Sequence, residues 1–366
     1  MAKEKSNRKF DLAETKGFFE LIGVVSDTKS DRFYSDKEIT TQNGSKSNVR
    51  DVNFGLVFDE DKNGLGKKAF VSLRGGKRDK VYCFKRCDDK DGKSHTEVKE
   101  IKWSNRFDIP EGYSLIGTRV GIEKQMDENG KLVNIKKNLS EYDACEELKE
   151  KLMDDESVYV RGTINYYTNK NGEHKQRFNI AQISLLSNDI EFNEEFKPRN
   201  NFKQSICFKS IQKNPDIQGE WIINSYVISY SSVEEIEMIT RNPSLAKQMS
   251  KALKPYSNIE VWGNIECILN TETVVDEDVW GEQCEMDKQA APARIALVIT
   301  GANPNTIDES LYSEDSIDMA IASIKQSKSA DKDYGKNVSD KDAGFEGDWG
   351  SVSGSDFDDD DDDEWA

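Results

Sequence analysis

An eight-residue pattern occurs twice in this chain, and what flanks it occurs twice as well. Ser157-Val-Tyr-Val-Arg-Gly-Thr-Ile164 aligns with Asn258-Ile-Glu-Val-Trp-Gly-Asn-Ile265. In both copies the apolar residues and the glycine share one parity, which in a strand is one face, and the glycine sits where a curved strand bends. A helical pattern precedes each copy. Ser140 to Met153 sets Tyr142, Cys145, Leu148 and Leu152 on one side. Asn242-Pro243 reads as a cap with proline at the first helical position, ahead of Leu245, Met249 and Leu253. An apolar strand follows each copy, Phe178 to Leu185 and Ala293 to Thr300. The chain reads as an internal duplication.

Elsewhere the body, roughly residues 17–303, also reads mainly as strands. In Lys68 to Arg74, Ala69, Val71 and Leu73 alternate with Lys68, Phe70, Ser72 and Arg74. Lys80 to Arg86 repeats the scheme, with Val81 and Cys83 inward and Lys80, Tyr82, Phe84 and Arg86 outward. Gly75-Gly76 between them supplies the turn chemistry of a hairpin. A second hairpin is expected across Asn169-Lys170-Asn171-Gly172, joining Val158–Tyr167 to Glu173–Leu185.

Charge divides the chain further. The total is 51 Lys+Arg against 69 Asp+Glu, a formal charge of −18. Residues 351–366 hold acids and no base, and 327–355 are rich in Ser, Asp, Lys and Gly, so 327–366 read as a disordered acidic tail. Residues 1–16 form a basic N-terminal arm, 17–190 a first barrel, 191–203 a basic connector and 204–303 a second barrel. The segment 304–326 holds a short amphipathic helix, with Ile317, Ala320, Ile321 and Ile324 at helical spacing within Ser316 to Lys325. No apolar run suits a membrane span or a secretory signal, so a cytoplasmic protein is expected, in the host cytoplasm if the gene is viral. Six scattered cysteines and two histidines do not compose a disulfide framework, and they offer little for histidine chemistry.

Three strands, a helix, then two strands is the order of a five-stranded Greek-key barrel of the oligonucleotide-binding (OB) type. The expected fold is mainly β: two such barrels in tandem, each with a helix before its fourth strand, plus the acidic tail. The segment Val158 to Glu173, the aromatic and basic hairpin before it, and the aspartate run ending in Trp365 resemble bacteriophage-type single-stranded DNA-binding proteins. That resemblance implies a protein that coats single strands in replication and recombination and recruits partners through its acidic C-terminus. It also implies a cooperative role for Lys3, Lys5, Arg8 and Lys9. Some members carry a structural zinc, but Cys83, Cys87 and His95 lack a close fourth ligand, and no metal or other cofactor is expected here.

Binding without sequence preference needs cations for phosphates and aromatic faces for bases. Lys67 to Arg86 holds eight cations against one acid, Asp79. The candidates there are Lys68, Phe70, Arg74, Lys77, Arg78, Lys80, Tyr82, Phe84 and Arg86. A second tier is Tyr159, Arg161 and Tyr167 on one parity of their strand, then Lys170, Lys175 and Arg177, then Lys197, Arg199 and Lys203 in the connector. Tyr166 has the opposite parity and belongs to the core. In the second barrel Trp262 lies between Glu260 and Glu266, so this unit is expected to orient, dimerise or extend the site. The tail tip, Asp358, Asp359, Asp360, Asp361, Asp362, Asp363, Glu364 and Trp365, is expected to compete with DNA for the basic groove and to dock on replication or recombination proteins.

Three rival readings remain at this stage. An enzyme is disfavoured, since no Walker loop, HExxH or GxSxG occurs, though a metal-dependent nuclease built from scattered carboxylates stays open. An acidic DNA mimic fits the net charge and not the basic ribbon. An RNA-binding OB protein would use the same surface.

Overall fold

The computed structural model describes residues 10, 12–40, 46–60, 66–88, 94–128, 130–169, 172, 174–193, 195–268 and 294–334. Its strands follow the alternation in the sequence. β1 (Gly17–Ser26) alternates strictly between buried and half-buried residues, as a strand with one face on a core must. After β2 (Tyr34–Thr40) and β3 (Lys46–Glu60), β4 (Gly66–Gly76) buries Ala69, Val71 and Leu73. Five further strands precede the first helix: β5 (Lys80–Asp88), β6 (Ser94–Lys102), β7 (Ser114–Leu115), β8 (Thr118–Met126) and β9 (Leu132–Leu139). Helix α1 (Glu141–Lys151) starts where the Ser140 hydroxyl accepts from the Asp143 amide at 3.2 Å. It buries Cys145 and Leu148 against the sheet.

β10 (Ser157–Thr168) and β11 (His174–Leu185) form the expected hairpin. The second part of the chain adds β12 (Asn200–Lys213), β13 (Trp221–Ile228), β14 (Val233–Thr240), α2 (Pro243–Ala252), β15 (Asn258–Ile268) and β16 (Arg294–Asp308). α2 begins at Asn242, whose side chain accepts from Ser244 and Leu245, with Pro243 in the first turn. α3 (Glu314–Tyr334) closes the described chain. It buries Ile317 and Ala320 and continues beyond the Ser316–Lys325 segment marked by apolar spacing.

The strands do not make two discrete five-stranded barrels. They join into one mixed 13-stranded sheet, ordered β13-β14-β16-β15-β12-β1-β10-β11-β4-β3-β2, with β8 and β9 branching from β11 and further pairings β12–β13 and β1–β3. The join is β1 against β12, antiparallel from Gly17 opposite Gln204 to Leu21 opposite Asn200. One apolar cluster accordingly runs from Phe19 and Phe54 through Ile206 and Met238 to Ile299. The first part also carries strands the expected order lacks, including a separate three-stranded sheet β6-β5-β7.

A second correction concerns β4 and β5, which are not a hairpin. β4 pairs with β3 and β11, while β5 pairs with β6 and β7. Gly75 is no turn residue. It is buried against the α1 backbone at Glu141 and Tyr142, where a Cβ would collide.

The repeat is physical. Both copies break register beside the same glycine, between Arg161 and Gly162 and between Trp262 and Gly263. At each, a Cβ would run into a neighbouring carbonyl, that of Asn179 or that of Val298. These close approaches are why both copies need glycine at the bend.

Candidate nucleic-acid interface

Directly opposed residues on neighbouring strands point to the same side of a sheet. One such row crosses both parts of the chain. Asn53 on β3 stands opposite Ser72 on β4, then follow Asn179 on β11, Thr163 on β10, Phe18 on β1, Lys203 on β12, Trp262 on β15 and Gly301 on β16. From β4 to β15 the row extends about 24 Å along the sheet at the usual strand spacing.

This outward face carries rings. Phe70, two residues along β4 from Ser72, is 52% exposed, and Trp262 is 41% exposed. Phe18 is half-buried between Thr163 and Lys203. The Trp262 indole lies over Gly301, where a Cβ would come within 2.5 Å of Nε1. Glycine there leaves room for the indole against the backbone, and the residue stays 41% exposed.

Most predicted cations on the face are held by carboxylates. Lys68 Nζ reaches Asp27 at 2.9 Å and lies 5.4 Å from the centre of the Phe70 ring. Arg74 meets Asp51 at 3.6 Å, Arg199 meets Glu20 at 2.7 Å, and Lys203 meets Glu260 at 3.2 Å. Tyr159 donates its hydroxyl to Glu20 at 3.1 Å, and burial with that neighbouring charge pushes its pKa up to about 12. Arg161 stands opposite Glu20. Arg177 lies over the Tyr167 ring at 5.6 Å, and Lys175 stands opposite Tyr167. Tyr166 packs against the core, as its parity implied.

The remaining candidates are elsewhere. Lys77 and Arg78 occupy the link between β4 and β5, and Lys80, Tyr82, Phe84 and Arg86 lie on β5, in the separate sheet. There Tyr82 is 44% exposed, Phe84 is half-buried, and Lys80 pairs with Glu100 at 2.6 Å. The single ribbon expected from Lys67 to Arg86 is thus divided between two sheets. Lys197 is exposed in the connector. Lys170, the basic arm residues Lys3, Lys5, Arg8 and Lys9, and the tail tip Asp358 to Trp365 lie outside the described residues.

Phe18 was missed in sequence although the alternation of β1 marks it, and Trp262 gains its place only through pairing. Among the described residues no cluster of three His, Cys, Asp or Glu side chains suits a metal ion. No described helix is long and apolar enough to cross a membrane.

Two solved structures are weakly similar. The wild-type single-stranded DNA binding protein from Thermus aquaticus aligns with a TM-score of 0.37 and 10% identity, over 80% of this chain and 93% of that one. A deletion mutant of the same protein gives a TM-score of 0.35 and 11% identity, over 80% and 95%. Among curated proteins none matches. A family profile described as YorF matches residues 90–336, well over half of the sequence, and the chain therefore belongs to the YorF family.

Proposed function

We propose that this protein binds single-stranded DNA along the outward face of the large sheet and coats strands exposed in replication and recombination. The row from Ser72 to Trp262 carries the reading. It lines up Phe18, Lys203 and Trp262 as neighbours across three strands, with Phe70 at the far flank. Rings of this kind accept bases of any sequence, and the cations between them meet phosphates. The flanking ion pairs, Lys68 with Asp27, Arg74 with Asp51 and Lys203 with Glu260, are no obstacle. Partly exposed pairs contribute up to about 1 kcal/mol each, so a phosphate replaces a carboxylate at small cost.

In this reading the protein is a stoichiometric binder and leaves the strand intact. The acidic tip from Asp358 to Trp365 competes with DNA for the same cations and, once released, recruits replication or recombination proteins. Removal of residues 351–366 is expected to tighten binding at low salt.

The test is intrinsic tryptophan fluorescence during titration with a thymidine oligomer at several salt concentrations. Quenching that weakens with salt is the expected result. No saturable response at low salt would refute the proposal, and an equal response to a uridine oligomer would widen the ligand to RNA.

A further inference from the structure

The middle of the outward face holds a carboxylate where a surface for polyanions has most reason to avoid one. Glu20 stands on β1 directly between Arg161 of β10 and Asn201 of β12. Its Oε1 accepts from Arg199 Nε at 2.7 Å and from Asn201 Nδ2 at 3.0 Å, and its Oε2 accepts from Tyr159 Oη at 3.1 Å. Burial opposes the charge, but these donors outweigh it and hold the Glu20 pKa below the usual carboxylate range. The other acids of the face serve flanking cations: Asp27 with Lys68, Asp51 with Arg74, Glu260 with Lys203. Glu20 gathers three donors from three different residues, and its single charge offsets Arg199, which it contacts, while Arg161 stands opposite it. What the midline then offers a ligand is Phe18 and the half-buried Tyr159 ring, with the positive charge of Arg161 and Arg199 reduced by one.

We propose that Glu20 is a specificity residue that weakens phosphate contacts at the midline, so that the face favours strands bearing bases over polyanions bearing charge alone. This rests on the single-strand reading above. Repulsion from one carboxylate is screened within about 10 Å at 0.1 M salt, so it acts on groups entering the midline and spares phosphates at the flanks.

The test compares wild type, Glu20→Gln, Glu20→Asp and Tyr159→Phe on two probes, a thymidine oligomer and an abasic oligomer of equal length, across a salt series. Gln matches Glu in shape and can still accept from Arg199 and Asn201, so the fold is retained. Glu20→Gln is expected to bind the abasic oligomer about tenfold tighter than wild type. Its salt slope on the thymidine oligomer is expected to steepen by about 0.7 for each phosphate admitted. Glu20→Asp and Tyr159→Phe keep the charge and are expected to resemble wild type with the abasic probe. A purely structural role would weaken both probes together. Unchanged abasic affinity and salt slope in Glu20→Gln, with thymidine binding intact, would overturn the proposal and leave the single-strand reading standing. Wild type that ignores the thymidine oligomer would remove that reading itself.

Discussion

Replacing Trp262 by alanine isolates one stacking platform. The indole packs beside the Gly301 backbone and the residue is 41% exposed, which leaves ring surface for a base. A base stacked on an aromatic side chain contributes about 1–3 kcal/mol, which converts to a loss of about 5- to 150-fold in affinity for a thymidine oligomer. Folding should change little, by about 1 kcal/mol, because the ring is only partly buried. Alanine carries no charge, so the salt slope should stay as in wild type. Gly301→Ala supplies the complementary perturbation. Its Cβ would stand 2.5 Å from Nε1, and the indole must swing off the backbone. Gly301→Ala should therefore reproduce most of the loss with the tryptophan still present, and the double variant should be no worse than Trp262→Ala alone. Fluorescence anisotropy of a labelled oligomer reads all three variants, with urea denaturation as the folding control. Affinity within twofold of wild type for Trp262→Ala would refute the platform. Wild-type affinity for Gly301→Ala, beside a weak Trp262→Ala, would refute the role of that packing.

Three further outcomes follow from the packing and the charges. Leu148 is fully buried where α1 meets the sheet, so Leu148→Ala should lower stability by about 2–5 kcal/mol in urea denaturation. Arg106 grips Asp143 of α1 through two hydrogen bonds, at 2.7 and 3.0 Å, and lies over Trp103 and Phe107. Arg106→Ala should cost about 1.5–3 kcal/mol and speed amide exchange in β5 and β6 before it does so in β10 or β12. Glu20 is held below its ordinary pKa of 4.5 against the opposing effect of burial, by Arg199, Asn201 and Tyr159. Its contribution to stability is therefore complete above about pH 4.5 and is lost as the pH falls through the lower folded value. Urea midpoints between pH 3 and 6 should decline more steeply in wild type than in Glu20→Gln, which keeps only the decline due to the other lowered carboxyls such as Asp27 and Glu147.

The parts legible in the sequence are those fixed within a few residues. Ser140 and Asn242 announce their helices because a cap needs only its own side chain and the next amides. The inward phase of β10 and β15 is set by the alternation of Val158, Val160, Val261 and Ile265, all fully buried, with Ile164 at 5% exposure beside them. Phe18 obeys the same rule, since Phe19 and Leu21 fix the parity of β1 and leave Phe18 on the other face. Parity says which way a residue points and nothing about which strand lies beside it. Gly75-Gly76 carries the signature of a hairpin turn, yet Gly75 is small for the sake of α1, which passes against it. Once that turn is gone, Phe70 and Tyr82 belong to different sheets, though only a dozen residues separate them in sequence.

The reverse holds for Phe18 and Trp262. They are remote along the chain and sit two strands apart because β12 pairs with β1 on one side and β15 on the other. Judged by its own strand, Trp262 lies between two glutamates, and a phosphate beside it would meet negative charge. Across the sheet its neighbour is Lys203, which also draws Glu260 to itself at 3.2 Å. A surface site on a sheet is assembled perpendicular to the strands, by pairings that local sequence does not encode. The charge a ligand meets at Trp262 is therefore decided by β12 as much as by β15. Lys203→Ala should weaken oligomer binding beyond the loss of one phosphate contact, because it also leaves Glu260 uncompensated beside the indole; a loss confined to one contact's salt dependence would show that the two strands act independently.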